Sequence, residues 1–182
     1  MKLLAFILSG FIVKLMFCLS DWALSVNDGS DGIRLMSDLQ IQIRRATLKD
    51  LPQVIGLLAK VGLPVEGIAE HLKHFFISEN NGDFVGVCGL QVSNNSGLLR
   101  STAVVSAYRN KGIARKLIEA SFDHAKKLGL KDIYLLTATS KEYFSKLGFE
   151  SLPRDALPAE IQSTREFLEI CAEAECMYIS LD

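Results

Sequence analysis

Between Ala103 and Ala120 an apolar run, a basic turn containing glycine and an amphipathic stretch follow one another without a break. Ala103-Val104-Val105 reads as the end of a strand, and Ala114 to Ala120 has helical spacing. The turn between them is Arg109-Asn110-Lys111-Gly112-Ile113-Ala114. Strand, short basic turn and helix together make an anion site. The first turn of a helix carries backbone N–H groups without partners, and the helix dipole adds partial positive charge there. Gly112 lets the backbone approach a ligand, and Arg109 and Lys111 add formal charge. The turn is neither a Walker loop, since no G-K-[ST] follows, nor a dinucleotide fingerprint, since two of its glycines are missing. On its own a basic turn before an amphipathic helix also reads as a solvated helix start.

The rest of the chain from Ile41 supplies a sheet for that helix. Ile41 to Arg44 alternates as a strand. Thr47 and Asp50 have capping-box spacing, and Pro52 suits a first helical turn. Leu51, Val54, Ile55, Leu58 and Val61 follow helical spacing up to Gly62, and a second short helix is expected from Ile68 to about His74. Strands are expected at Phe75–Ser78, Phe84–Val92 and Leu98–Val105, parted by the turn signals Asn80-Asn81-Gly82-Asp83 and Asn94-Asn95-Ser96-Gly97. A helix over Gly112–Leu128, a strand at Asp132–Thr137 and a short helix at Lys141–Leu147 follow. Pro153 and Pro158 mark a loop, Ile161–Ile170 reads as helical, and Met177–Leu181 closes the sheet. The fold class is α/β (α+β): a mixed, mostly antiparallel central sheet with helices on both faces.

The 182 residues suffice for one domain with a core, and a net charge of −1 argues against a nucleic-acid partner. Cys18, Cys88, Cys171 and Cys176 are too few and scattered for a disulfide scaffold. His71, His74 and His124 do not cluster with them, so no metal is expected, and all three read as surface residues. Residues 1–40 are set apart as an extension and linker, with the globular domain at 41–182. Their first 19 residues are apolar but interrupted by Lys14, and they read three ways: a membrane anchor, an export signal or a non-native extension.

Three segments carry a resemblance. Arg109 to Ala114 has the form R-x-x-G-x-A, Arg45 to Leu51 ends in Asp50-Leu51, and Tyr143-Phe144-Ser145-Lys146-Leu147-Gly148-Phe149 has the form of a late F-Y-x-x-L-G-F motif. In this order they resemble the GCN5-related N-acetyltransferase (GNAT) family, from about residue 41 to the end. The resemblance implies acetyl-coenzyme A as cosubstrate, its pyrophosphate held at Arg109, Asn110, Lys111, Gly112, Ile113 and Ala114. It implies that Ala103, Val104 and Val105 pair with the pantetheine arm. It also implies transfer of an acetyl group to the amine of a small molecule, in the cytoplasm. A homodimer stays open. Shorter matches at Gly62–Gly67, Leu98–Ser101, Tyr134–Thr139 and Cys171–Met177 resemble a subgroup associated with arsenic-resistance gene clusters.

One departure bears on chemistry. Where many family members carry a Tyr proposed to protonate the leaving thiolate, this chain has Phe144, which reads as a pocket wall or core aromatic. Tyr143 is adjacent, but one helical residue turns a side chain by about 100°. No general acid is therefore assigned, and a catalytically silent acyl-coenzyme A-binding domain is the alternative reading. Glu66 is the candidate for binding or deprotonating the amine, its bland alternative being a solvated carboxylate at a helix start. Arg100 is the candidate for an acidic group on the acceptor, its alternative a structural partner.

Overall fold

Thr47 breaks the first strand and starts a helix, and its partner is the residue expected. Its N–H and hydroxyl both donate to Asp50 Oδ2, at 2.7 and 2.8 Å. The Arg44 guanidinium grips both oxygens of the same carboxylate at 2.8 Å. It holds the Asp50 carboxyl well below the usual carboxylate range. These bonds join strand β1 (Ile41–Arg45) to helix α1 (Leu51–Lys60). In this computed structural model the described residues are 39–170 and 173–181. The expectations for residues 1–38, including the apolar segment and Cys18, and for Cys171 lie outside them.

Six further strands complete one sheet: β2 (Phe75–Asn80), β3 (Asp83–Ser93), β4 (Ser96–Val104), β5 (Asp132–Thr137), β6 (Glu150–Leu152) and β7 (Glu175–Ser180). Their order is β1-β2-β3-β4-β5-β7-β6. Every pairing is antiparallel except β4 with β5. That parallel pairing covers only Ser96–Leu99 against Asp132–Leu135, although β4 runs on to Val104. Opposite the bulge between Val87 and Gly89, Ser101 takes a left-handed φ of 57°.

Helices cover both faces, as the mixed pattern predicts. Val54, Leu57 and Leu58 of α1 and Ile68 of α2 (Ile68–His71) pack with Phe75, Ile77, Val87 and Ala103. Leu117 and Ile118 of α3 (Ile113–Lys127) pack on the other face with Phe76, Val85, Leu90, Leu99 and Val104. Phe75 and Ile77 against Phe76 is the two-residue alternation of a strand buried on both sides. Short helices α4 (Lys141–Lys146) and α5 (Ala159–Gln162) follow β5 and β6.

Two expectations need correction. The helix expected over Ile161–Ile170 is broken into α5 and a separate π turn at Glu166–Ile170. Thr164 ends the first piece by donating its hydroxyl to the Ile161 carbonyl at 2.7 Å, a local bond that competes with helix continuation. The edge strand β6 was not expected, because Glu150-Ser151-Leu152 is too short to show alternation.

The histidines also need correction. His124 is only 4% exposed, and its Nδ1 and Nε2 sit 2.9 Å from an Arg45 nitrogen and from His74 Nδ1. Helical spacing alone did not show that His124 lies on the buried stripe of α3 with Leu117, Ser121 and Ala125.

Candidate functional site

The basic turn sits where a ligand can reach it. Gly112 is the N-cap of α3 with φ 74°, a conformation that favours glycine, and a Cβ there would meet nothing within 4 Å. No side chain caps the helix, and its first turn carries no acid. The N–H groups of Ile113, Ala114 and Arg115 therefore point outward as donors beside a positive dipole end. A cleft of about 410 Å³ opens on them, lined by Thr102, Ala103, Val104, Tyr108, Arg109, Asn110, Gly112, Ile113, Ala114, Arg115 and Tyr143.

Most of the residues expected to hold the cofactor are in that lining, but two are not. Val105 turns toward the α1 side of the core, its N–H donating to the Val85 carbonyl at 2.9 Å. Lys111 lays its ammonium over the Tyr108 ring, 5.3 Å from the centroid. Arg109 folds back to donate from Nε to the Val104 carbonyl at 3.1 Å, which ties the turn to the end of β4. Beyond Leu99 β4 stays paired with β3 but has no β5 partner, and this stretch runs along the same cleft, so its open edge can hydrogen-bond an extended ligand.

Phe144 is not among the lining residues. It packs against the core and meets Phe149 edge-on, with ring centroids 5.6 Å apart. Tyr143, which the helical step was expected to turn away, lines the cleft instead. In so short a helix that step turned Phe144 inward and Tyr143 toward the ligand space. Burial pushes the Tyr143 phenol up, so it stays protonated at neutral pH. Thr102, Tyr108 and Arg115 were also missed. Tyr108 and Arg115 flank the turn directly, and that adjacency was the available signal.

Glu66 and Arg100 do come together, but differently from the expectation. Arg100 is buried, its side chain 5% exposed, and it bonds protein groups. It donates to the Glu66 carbonyl at 3.0 Å and to Gln91 Oε1 at 3.1 Å. Its Nε lies 2.8 Å from Glu166 Oε2, though neither atom is in hydrogen-bond geometry. Glu166 therefore takes the place expected for an acidic group of the acceptor. Burial pushes its carboxyl up, and Arg100 opposes that shift. The Glu66 carboxylate is exposed and accepts the Val65 N–H at 3.1 Å. His71 of α2 lies near enough for Arg100 to matter. Burial first and the Arg100 charge second hold it below the ordinary histidine value.

Among the described residues no cluster of His, Cys, Asp and Glu could hold a metal ion, and no helix is long and apolar enough to cross a membrane.

Fold and turn together define a mixed seven-stranded α/β sheet with an uncapped, basic helix start opening on a cleft. Residues 71–151 match the acetyltransferase (GNAT) domain. Over 98 residues the chain is 31% identical to an uncharacterized N-acetyltransferase of Chlorobaculum tepidum, covering 53% of this chain and 63% of that protein. It is 26% identical to an amino-acid acetyltransferase of Aeromonas salmonicida, covering 72% of this chain but 32% of that one. The chain thus spans under two thirds of the length of these relatives. N-acetylglutamate synthase from Neisseria gonorrhoeae, solved with coenzyme A and N-acetyl-glutamate, shares the fold at a TM-score of 0.70 and 22% identity, covering 78% of this chain and 35% of that one. A Mycobacterium tuberculosis protein solved with CoA shares it at a TM-score of 0.66 and 22% identity, covering 76% and 98%. Over residues 71–151 and in its fold the chain is thus similar to GNAT acetyltransferases.

Proposed function

We propose that this chain is an acetyl-coenzyme A-dependent N-acetyltransferase for the amine of a small molecule. The observation that carries the reading is the uncapped N-terminus of α3 facing a cleft with Arg109, Asn110 and Arg115 around it. Backbone N–H donors, an open glycine and positive charge fit a pyrophosphate. The cleft then continues along the free edge of β4, which suits an extended arm. The thioester supplies the acyl group. Residues at the end of β4 orient it, and Tyr143 holds a proton at Oη for the leaving sulfur. Glu66 or His71 takes the proton from the incoming amine. Arg100 fastens the α1–α2 loop through the Glu66 carbonyl and so shapes the acceptor wall without touching the ligand. The similar structure solved with N-acetyl-glutamate, the amino-acid acetyltransferases among the relatives and the resemblance to the arsenic-cluster subgroup all favour a small acceptor. The domain responsible begins near Leu39, and residues 1–38 are not needed for the reaction.

The test is thiol release from acetyl-coenzyme A with a panel of amino acids and small amines, beside calorimetry with coenzyme A. Binding with turnover of at least one amine is expected. Binding without any turnover would instead support the silent acyl-coenzyme A-binding domain, and absence of binding would refute both.

A further inference from the structure

A line of three hydroxyl and thiol groups runs from the cleft wall into α3. Thr102 Oγ1 lies 3.2 Å from Cys88 Sγ, which lies 3.5 Å from Ser121 Oγ, which lies 3.0 Å from the Leu117 carbonyl oxygen. Cys88 and Ser121 are fully buried, whereas Thr102 lines the cleft. Each group has one hydrogen to give, so the direction of the whole line follows from its last member. A carbonyl can only accept. An O–H···O bond at 3.0 Å outweighs an O–H···S contact at 3.5 Å, because sulfur is a weak acceptor. Ser121 therefore spends its hydrogen on Leu117. Its oxygen is left to accept the Cys88 S–H, and the Cys88 sulfur is left to accept the Thr102 O–H. The thiol stays protonated, since burial pushes it up. Thr102 then has no hydrogen left for the cleft.

We propose that Thr102 presents its hydroxyl oxygen to the cleft as an acceptor only, fixed by Cys88 and Ser121, and that it receives an N–H of the bound ligand. This rests on the acetyltransferase reading above. Two N–H sources fit the position: an amide of the coenzyme arm and the acceptor amine.

Two measurements test it. The first needs no ligand: the Cys88 S–H infrared band, identified by its loss in Cys88→Ala. Ser121→Ala should move that band to the free-thiol position, and Thr102→Val should leave it near its wild-type place. The reverse pattern would overturn the polarity. The second is calorimetry with coenzyme A, paired with acceptor KM. Losing one neutral hydrogen bond should weaken the affected step about three- to tenfold in Thr102→Val, and Thr102→Ser should restore it. Loss in coenzyme A affinity identifies the arm amide, and a rise in acceptor KM alone identifies the amine. If neither changes, the proposal is wrong. If the wild-type chain binds no coenzyme A, the acetyltransferase reading fails and the ligand half of this proposal fails with it, while the thiol band still decides the polarity.

Discussion

Breaking the Arg100–Glu166 pair should destabilise the domain more than removing the pair altogether. The two side chains are 5% and 10% exposed and 2.8 Å apart at Nε and Oε2. Removing one member of a buried pair strands the other charge, at about 3–5 kcal/mol. Glu166→Gln should fall at the low end, about 3 kcal/mol, because Arg100 keeps Gln91 and the Glu66 carbonyl. Arg100→Met loses those bonds as well and should reach the upper end. Its cost should depend on pH. Burial already pushes the Glu166 carboxyl up, and without Arg100 nothing opposes that. A carboxyl raised in the folded state takes up a proton there first, so the variant is relieved as pH falls and suffers as pH rises above about 4.3. The double variant Arg100→Met/Glu166→Leu leaves no stranded charge and should lie within about 2 kcal/mol of wild type. With Glu166→Leu as the matching single variant, urea unfolding at pH 5 and pH 8 measures the cycle; single costs of about 3 and about 5 kcal/mol against a double within about 2 kcal/mol give a coupling of about 6 kcal/mol. Additive single variants, or an Arg100→Met cost that does not change with pH, would refute the reasoning. In both variants that carry Arg100→Met, acceptor KM should rise while coenzyme A affinity holds, because the α1–α2 loop is no longer fastened through the Glu66 carbonyl.

Other perturbations have equally definite outcomes. Gly112→Val should weaken coenzyme A binding strongly. Its folding cost should stay near about 1–2 kcal/mol, since φ 74° is strained for valine but a Cβ meets nothing there; calorimetry and urea unfolding check both. Tyr143→Phe should lower kcat at least tenfold with coenzyme A affinity within twofold, and should remove a rate loss that wild type shows only above about pH 10. Burial, with His124 next, lowers His74 to about 4, and burial with Arg45 lowers His124. Both are neutral when folded, so their contribution is complete above about pH 6.5 and is lost as pH falls toward 4. The loss should be about 1–2 kcal/mol after allowing for solvent screening, and a His74→Gln variant should show a flatter urea profile over that window. A chain starting at Leu39 should unfold and bind coenzyme A as the full chain does, checked by calorimetry and thermal melting.

What the sequence made legible was what repeats along the chain or has its own local signal. The alternation of Phe75, Phe76 and Ile77, the Thr47–Asp50 spacing and the Arg109–Ala114 turn each carry their cause within a few residues. The misses have long-range causes. Tyr143 and Phe144 are adjacent, and only packing against Phe149 decides which of them faces the cleft. Arg100 is joined to Glu166 across 66 positions of chain, and no periodicity in either segment announces the pair. His124 looked polar on a helix and is buried because Arg45 and His74, both distant in sequence, satisfy its ring nitrogens.

The short β4–β5 pairing also has a mechanical meaning. Four residue pairs are all that stitch the β1–β4 half of the sheet to the β5–β7 half, whereas β5 and β7 pair over six. Short hydrogen-bonded ladders open more readily than long ones, and regions bounded by such a line exchange as separate cooperative units. Only the β6–β7 edge ladder, with three pairs, is shorter, so the seam that exposes the β4 edge to a ligand is also the line along which the two halves of the sheet can part. A ligand laid along that edge would act as a temporary strand, closing the gap and coupling the two halves into one unit.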